Sequence, residues 1–502
     1  MVLFFRMIRY VMKETARLPG ICLILVSLSA VLQGQPYKAD WNSLDKRPIP
    51  SWFHEAKFGI FIHWGVYAVP SYSPVVPDGY SEWYWRNLED PERKNHAAVK
   101  AFHDRVYGND FTYEQFLPMF KAELFDSDEW AELFKNSGAK YVVLTSKHHD
   151  GFCLWPNEEA NESWGRPWNA ASAGPHRDIL GDLTTSVRQA GLKMGYYYSL
   201  MEWYNPVFEK NRSNYVDEVM IPQFKDLVTR YKPSVIFSDG EWIMEDTDWK
   251  SPEILAWLFN DSPVANEVVV NDRWGKNTRS KHPCTYFTSE YGSGMDKSVV
   301  WEENRGMGQS YGYNRMERLG DYKTSDELII ILADIVSRGG NLLLDIGPAT
   351  DGTIPVIMEE RLRDMGKWLD VNGEAIYNTR AWKRSKQWSE GEKPEIESGN
   401  YQTNYDVNEL VKANGDQARI EMFFTRKDNT LYCIIPQWSR SFKIRDVSIG
   451  SHTSVSIPGL DKAIHWQKDG KDIIVDLSGI HPGDLTEKLF VVKITGLRNL
   501  PL

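Results

Sequence analysis

The chain has 502 residues, of which 42% are hydrophobic and 25% charged, and a net charge of −11. That length can bury more than one sizeable core, and the acidic balance argues against nucleic acid or an anionic membrane surface as a partner. Of 4 cysteines, Cys22 sits in an N-terminal apolar run. The others, Cys153, Cys284 and Cys433, show no paired spacing, so neither a disulfide framework nor a cysteine metal cluster organises the fold.

In chain order, Arg6, Arg9, Lys13 and Arg17 precede the apolar stretch Leu18 to Leu32, after which Gln33-Gly34-Gln35-Pro36 turns polar. This pattern over 1–34 is expected to be a secretory signal, since its apolar core is too short for a bilayer, and Met12 offers an alternative start. The mature protein is therefore expected to be exported, to a periplasm or to the medium. Residues 35–380 alternate short apolar runs with helical patterns, which predicts βα units and a parallel sheet. The candidate strands are Phe58–His63, Tyr141–Thr145, Lys193–Tyr198, Val235–Phe237, Val268–Asn271, Thr285–Thr288, Ser298–Trp301 and Asn341–Asp345. Helices are expected over Asp128–Asn136, Asp178–Ala190, Tyr215–Tyr231, Ser325–Ser337 and about Ile357–Leu369, the fourth opened by the Thr324/Glu327 capping spacing. Gaps around the sixth strand are too short for helices. The expectation is an irregular (β/α)8-like barrel. Beyond a polar segment from Arg384 to Thr403, five strand patterns without helices predict an antiparallel β-sandwich over 381–502, with turns at Asp428-Asn429 and Asp469-Gly470.

The strand ends carry the chemistry. In a β/α barrel the side chains at the C-terminal rim leave the packed interior and meet in one cleft. Here the first strand delivers His63, the second His148, His149 and Asp150, the third Tyr198, the fourth Asp239, the fifth Asn271-Asp272-Arg273, and the sixth Glu290. One such residue is ordinarily a satisfied core or turn group, but polar groups at successive strand ends have no structural reason to gather on one rim. Asp239 and Glu290 form a carboxylate pair suited to glycoside hydrolysis, one ionised and one protonated. A metal-dependent hydrolase is the competing enzyme reading. It is disfavoured because the first strand bears one His rather than two facing inward, and neither His282 nor any later His stands at a strand end. The 20 Trp residues point only weakly to carbohydrate, because aromatic rings fill cores as readily as they stack on sugars.

Several motifs sharpen this reading: WFHEAKFGIFIHWG from Trp52, SEWY from Ser81, SKHHDGFCLWP from Ser146, YYYSLMEW from Tyr196, FSDGEW from Phe237, NDRWG from Asn271, TSEYG from Thr288 and SRGGNLLLDIGPATDG from Ser337. In order and spacing the chain resembles the α-L-fucosidases of glycoside hydrolase family 29 over nearly its whole mature length. The resemblance implies a retaining exo-enzyme acting on fucosylated glycans without a cofactor or metal. It also implies that Asp239 is the nucleophile and that His63, Glu82, Trp83, His148, His149, Tyr198 and Arg273 bind or support the sugar. Glu290 is the expected acid/base, with Glu302 and Glu303 as alternatives; Phe61 and Trp301 are expected to cover the fucose methyl. The run Ser310-Tyr311-Gly312-Tyr313 departs from the family pattern, which often has Trp in its second place. A reading from another class is a fucosylated-glycan-binding protein without catalysis, against which stands the presence of both carboxylates.

Overall fold

The computed structural model describes residues 36–485 and 489–498, so the signal expected over 1–34 lies outside the described residues. Eight parallel strands form the first part: β1 (Phe58–Ile62), β2 (Tyr141–Lys147), β3 (Lys193–Ser199), β4 (Val235–Asp239), β5 (Val269–Val270), β6 (Phe287–Glu290), β7 (Trp301–Gly306) and β8 (Asn341–Ile346). Their order is β5-β4-β3-β2-β1-β8-β7-β6. A parallel bridge between Asn271 and Tyr286, with the Tyr286 amide donating to the Val270 carbonyl at 3.0 Å, joins β5 to β6 and closes the barrel.

Side chains alternate across each strand, and the alternation separates two cores. Phe61, Tyr141, Val143, Tyr197, Val235, Phe237, Val269, Tyr286 and Leu343 pack together inside the barrel. Their neighbours Ile60, Ile62, Val142, Leu144, Tyr196, Tyr198, Ile236, Val270, Leu342 and Leu344 face the surrounding layer. Both faces are buried, which is why these strands read as unbroken apolar runs. Gly59 belongs to the interior set, and a Cβ there would run into the Tyr141 ring.

Several helices start where side chains can satisfy their first amides. Asp126 accepts from the amides of Asp128 and Glu129 ahead of helix Ser127–Asn136, and Asp178 accepts from Gly181 ahead of Ile179–Gln189. The capping box at Thr324 and Glu327 opens Ser325–Ser337. One helix was expected over Tyr215–Tyr231, but the structure places a π-helical turn at Val216–Met220 before the α-helix Ile221–Tyr231. Pro222 has no amide proton for the regular ladder, and the wider turn absorbs the break.

The seventh strand differs most from the sequence expectation. It runs over Trp301–Gly306 instead of Ser298–Trp301, so its register buries Glu302, Glu303 and Asn304. Charged residues inside a strand look like loop in sequence; here Glu302 accepts from the Tyr141 hydroxyl on the inner face, and Glu303 pairs with Arg305 on the outer.

The sandwich packs a five-stranded sheet, ordered β13-β16-β11-β10-β9, against a three-stranded one, ordered β12-β15-β14. These strands are β9 (Arg380–Trp388), β10 (Ile420–Lys427), β11 (Thr430–Ile435), β12 (Ser441–Ile444), β13 (Ser454–Ser456), β14 (His465–Asp469), β15 (Asp472–Asp476) and β16 (Phe490–Thr495). The sequence reading lacked β9, β12 and β14. Each is an edge strand, β9 and β14 rich in charge and β12 only four residues long, features that keep open edges from pairing with other chains and that hide the apolar alternation.

Candidate active site

The C-terminal ends of the barrel strands surround a cavity of about 410 Å³. Phe61 and His63 reach it from β1, His148 and His149 follow β2, Tyr197 comes from β3, Phe237 and Asp239 from β4, Arg273 follows β5, Glu290 ends β6 and Asn304 comes from β7. Loops add Tyr80, Glu82, Trp83, Trp242, Arg279, Tyr311 and Tyr401. The volume suits a small polar ligand such as one sugar ring.

Arg273 organises the centre. Its Nη1 donates to Asp239 at 3.0 Å and its Nη2 to Glu290 at 3.0 Å, so one planar fork holds both carboxylates side by side. The fork is itself held: Nε donates to the Thr288 hydroxyl at 3.2 Å, that hydroxyl donates to Asp272 at 2.8 Å, and the guanidinium lies 5.0 Å from the centre of the Phe237 ring. Asp239 also accepts from the Tyr197 hydroxyl at 2.9 Å and lies 3.6 Å from His149 Nε2.

These surroundings push the two carboxyl groups apart in acidity. Burial alone would raise both. At Asp239 the Arg273 charge, aided by His149 and Arg279, outweighs burial and holds the pKa down to about 2. At Glu290 burial prevails over Arg273, and the nearby Asp239 charge adds to it, so the pKa lies above the ordinary value. One group is thus kept ionised and its neighbour is biased toward its protonated form, the division of labour that acid/base catalysis needs.

The imidazoles are neutral hydrogen-bonding groups. Burial is the first cause in each: it takes His63 down to about 3 and His149 to about 4, and it lowers His148 well below the ordinary value. His149 is held at both ring nitrogens: Nδ1 lies 2.6 Å from the Ser199 hydroxyl, which donates to the Met201 carbonyl at 2.6 Å, and Nε2 lies 3.2 Å from the Tyr197 hydroxyl. His63 Nδ1 lies 2.7 Å from Asp345, whose own pKa burial drives well up. Glu82, pushed by burial to about 8, accepts from the Gly312 amide at 2.9 Å.

Nine residues singled out from sequence meet around this cavity: Phe61, His63, Glu82, Trp83, His148, His149, Asp239, Arg273 and Glu290. Two do not. Tyr198 points to the outer layer, where its hydroxyl lies 3.0 Å from both the Met220 carbonyl and Gln223 Oε1, sharing its proton between the two acceptors. The period of two places Tyr197 on the inner face in its stead. Trp301 also faces outward, against Gly340 and 5.0 Å from the Arg338 guanidinium, because the real strand begins there. The apolar wall beside Phe61 is made by Phe237, at 5.0 Å between ring centres, and Tyr311, at 6.4 Å. Neither alternative carboxylate lines the cavity: Glu302 is bonded to Tyr141 inside the barrel, and Glu303 to Arg305 outside it. Trp242 was within reach of sequence reasoning, three residues beyond Asp239 in FSDGEW. Tyr401 gave no such signal, lying 162 positions away in the polar segment after β9.

The model of the family described as Alpha-L-fucosidase matches residues 24–374. The tissue alpha-L-fucosidase of Homo sapiens is 37% identical over 498 residues, covering 96% of this chain and 97% of that protein. An alpha-L-fucosidase of Dictyostelium discoideum is 43% identical over 372 residues, 72% of this chain and 78% of its own. The crystal structure of Thermotoga maritima alpha-fucosidase in complex with a mechanism based inhibitor superposes with a TM-score of 0.73 at 33% identity, covering 92% of this chain and 100% of that one.

Proposed function

We propose, from the premise that the chain belongs to the α-L-fucosidase family and is a glycoside hydrolase, that it removes terminal α-L-fucosyl residues from glycans by double displacement. The observation that carries this is the Arg273 fork, which holds Asp239 and Glu290 together while their acidities are driven apart.

In the first step Asp239, ionised, attacks the anomeric carbon, and Glu290 gives its proton to the departing glycosidic oxygen. A β-fucosyl ester of Asp239 forms. Glu290, now a carboxylate, takes a proton from water, whose oxygen displaces Asp239 and restores the α configuration. Two carboxylates a short distance apart suit this route, because a wider gap is what admits a water in one-step inversion. Arg273 leaves Asp239 with little basicity, which also makes it a good leaving group in the second step.

Neutral His63, His148 and His149, with Glu82, supply directional bonds for the ring hydroxyls. Buried His148 Nδ1 has no hydrogen-bond partner among the described residues. Phe61, Phe237 and Tyr311 offer an apolar face to the methyl that distinguishes fucose from most hexoses. Residues 35–380 would then be the catalytic unit, residues 381–502 the sandwich, and the leader over 1–34 would direct export. Among the described residues no helix is long and apolar enough to cross a membrane.

The test is hydrolysis of an aryl α-L-fucoside followed by NMR before mutarotation. The first-formed fucose is expected to be the α anomer. β-Fucose would overturn double displacement, and no hydrolysis would overturn the fucosidase reading.

A further inference from the structure

A stretch far from the barrel in sequence completes the cavity wall. Between β9 and the helix Val407–Lys412 the chain runs alongside the end of β6. The Glu290 amide donates to the Asn400 carbonyl at 2.8 Å, and the Gln402 amide donates to the Glu290 carbonyl at 2.9 Å. The pairing continues from the Ser293 amide to the Gly399 carbonyl at 2.9 Å and from the Thr403 amide to the Tyr291 carbonyl at 3.1 Å. The two backbones approach so closely that a Cβ on Gly292 would stand 2.7 Å from the Gly399 carbonyl oxygen. The strap then crosses to the loop that follows β1. Gln402 donates to the Tyr80 hydroxyl at 2.6 Å and to the Asp78 carboxylate, and Lys94 holds Asp78 from outside at 2.6 Å.

Tyr401 is the residue this strap carries to the cavity. Its ring lines the same wall as Glu290 yet is 52% exposed, while its hydroxyl donates to Asp78 at 3.3 Å. Half of a large aromatic face thus meets water at the mouth of a polar site, held by a backbone pinned on both sides. What would cover it follows from the chemistry of Glu290. The acid must sit against the glycosidic oxygen, so the leaving group lies on the Glu290 side of the cavity, and Tyr401 is bridged directly to Glu290 through the backbone. Pyranose rings have an apolar C–H face that packs on an aromatic ring while their hydroxyls stay in water.

We propose that Tyr401 is the stacking platform for the leaving-group sugar, and that through it the C-terminal segment sets which glycans are cleaved. The inference rests on the fucosidase reading above. Tyr401 touches no reacting atom, so its role is in specificity. The platform accepts a pyranose, joined to fucose through one of its hydroxyl oxygens, that turns an apolar face to the ring.

The experiment compares kcat/KM for α-L-fucosyl fluoride, whose leaving atom has no ring, with kcat/KM for the best-cleaved member of a fucosyl disaccharide panel. Tyr401→Ala is expected to lower the disaccharide value roughly three- to tenfold more than the fluoride value, chiefly through KM, on the scale of one aromatic packing contact. Tyr401→Phe, which keeps the ring, should recover most of that difference. Equal losses on both substrates would mean that the strap serves only to place Glu290, and the platform would be overturned. So would an unchanged ratio, a Phe variant no better than Ala, or a wild-type protein that cleaves the fluoride and none of the disaccharides, the last leaving the fucosidase reading intact. A wild-type protein inert to fluoride and disaccharides alike would overturn both.

Discussion

The two carboxylates proposed to carry the chemistry stand on different kinds of scaffold. Asp239 ends β4, a five-residue strand paired on both sides and buried on both faces, with the Leu200 amide donating to its carbonyl at 2.8 Å. Glu290 ends β6, a four-residue strand whose link to β5 is the Asn271–Tyr286 bridge and whose flanking loops contain no helix among the described residues. The backbone of Glu290 is held instead by the strap at 399–403. The difference has a chemical sense. The attack trajectory on the anomeric carbon is the same for every fucoside, so the nucleophile belongs on a rigid strand, whereas the acid/base faces a leaving group that varies between substrates and sits where a variable segment can reshape the wall.

The largest expected effect lies on the rigid side. Asp239→Gly should lower hydrolysis of an aryl fucoside by several orders of magnitude with the thermal transition preserved, because no covalent intermediate can form. Wild-type-like turnover would remove Asp239 from the nucleophile role. Added azide should generate β-fucosyl azide in this variant, by one displacement.

On the other side, Glu290→Ala should cost roughly 10²- to 10⁴-fold on substrates with sugar leaving groups and far less on activated aryl fucosides, which depart without a proton. Azide should rescue it as α-fucosyl azide, since attack on the β-linked ester inverts the centre again. The opposite anomers from the two variants make the comparison sharp, and the same anomer from both would break the assignment.

Arg273 couples the two scaffolds, and its removal should appear in the pH profile. On the proposed mechanism activity needs Asp239 ionised and Glu290 protonated, so kcat/KM should fall as pH drops through the Asp239 pKa of about 2 and fall again as pH rises through the raised Glu290 value. The guanidinium lowers both groups, so Arg273→Met should move both limbs to higher pH and bring the acid limb into easily measured range. A profile that only loses height would mean that Arg273 holds geometry without tuning charge.

The smallest effects separate two adjacent tyrosines. Tyr197→Phe deletes a hydrogen bond to the ionised nucleophile and should cost roughly tenfold or more in kcat, from about 1.5–3 kcal/mol for a bond to a charged group. Tyr198→Phe deletes bonds to Met220 and Gln223 on the outer face; it should leave kcat within about twofold and reduce stability by about 1 kcal/mol in urea titration. The reverse ranking would put the inner and outer faces of β3 the wrong way round.

Most of the barrel was legible in the sequence because its strands are buried on both faces and announce themselves as apolar runs ending in polar groups. His63, His148, His149, Asp239, Arg273 and Glu290 could be placed at strand ends on that ground, and motif order located Glu82 and Trp83. Tyr198 and Trp301 mark where this failed. A run such as Tyr196-Tyr197-Tyr198 carries no alternation, so only the register of β3 against β4 decides which ring faces the cavity. Strand β7 was misplaced because its buried carboxylates are compensated by Tyr141, distant in sequence, and by Arg305. Tyr401 could not have been found at all: it reaches the site through backbone pairing with Glu290, and main-chain hydrogen bonds leave almost no trace in side-chain identity. Sequence determined the chemistry through the residues that carry charge and the runs that must be buried. Tertiary structure alone decided which side of each strand meets the substrate and which remote segment finishes the wall, since both depend on register and close backbone approach rather than on composition.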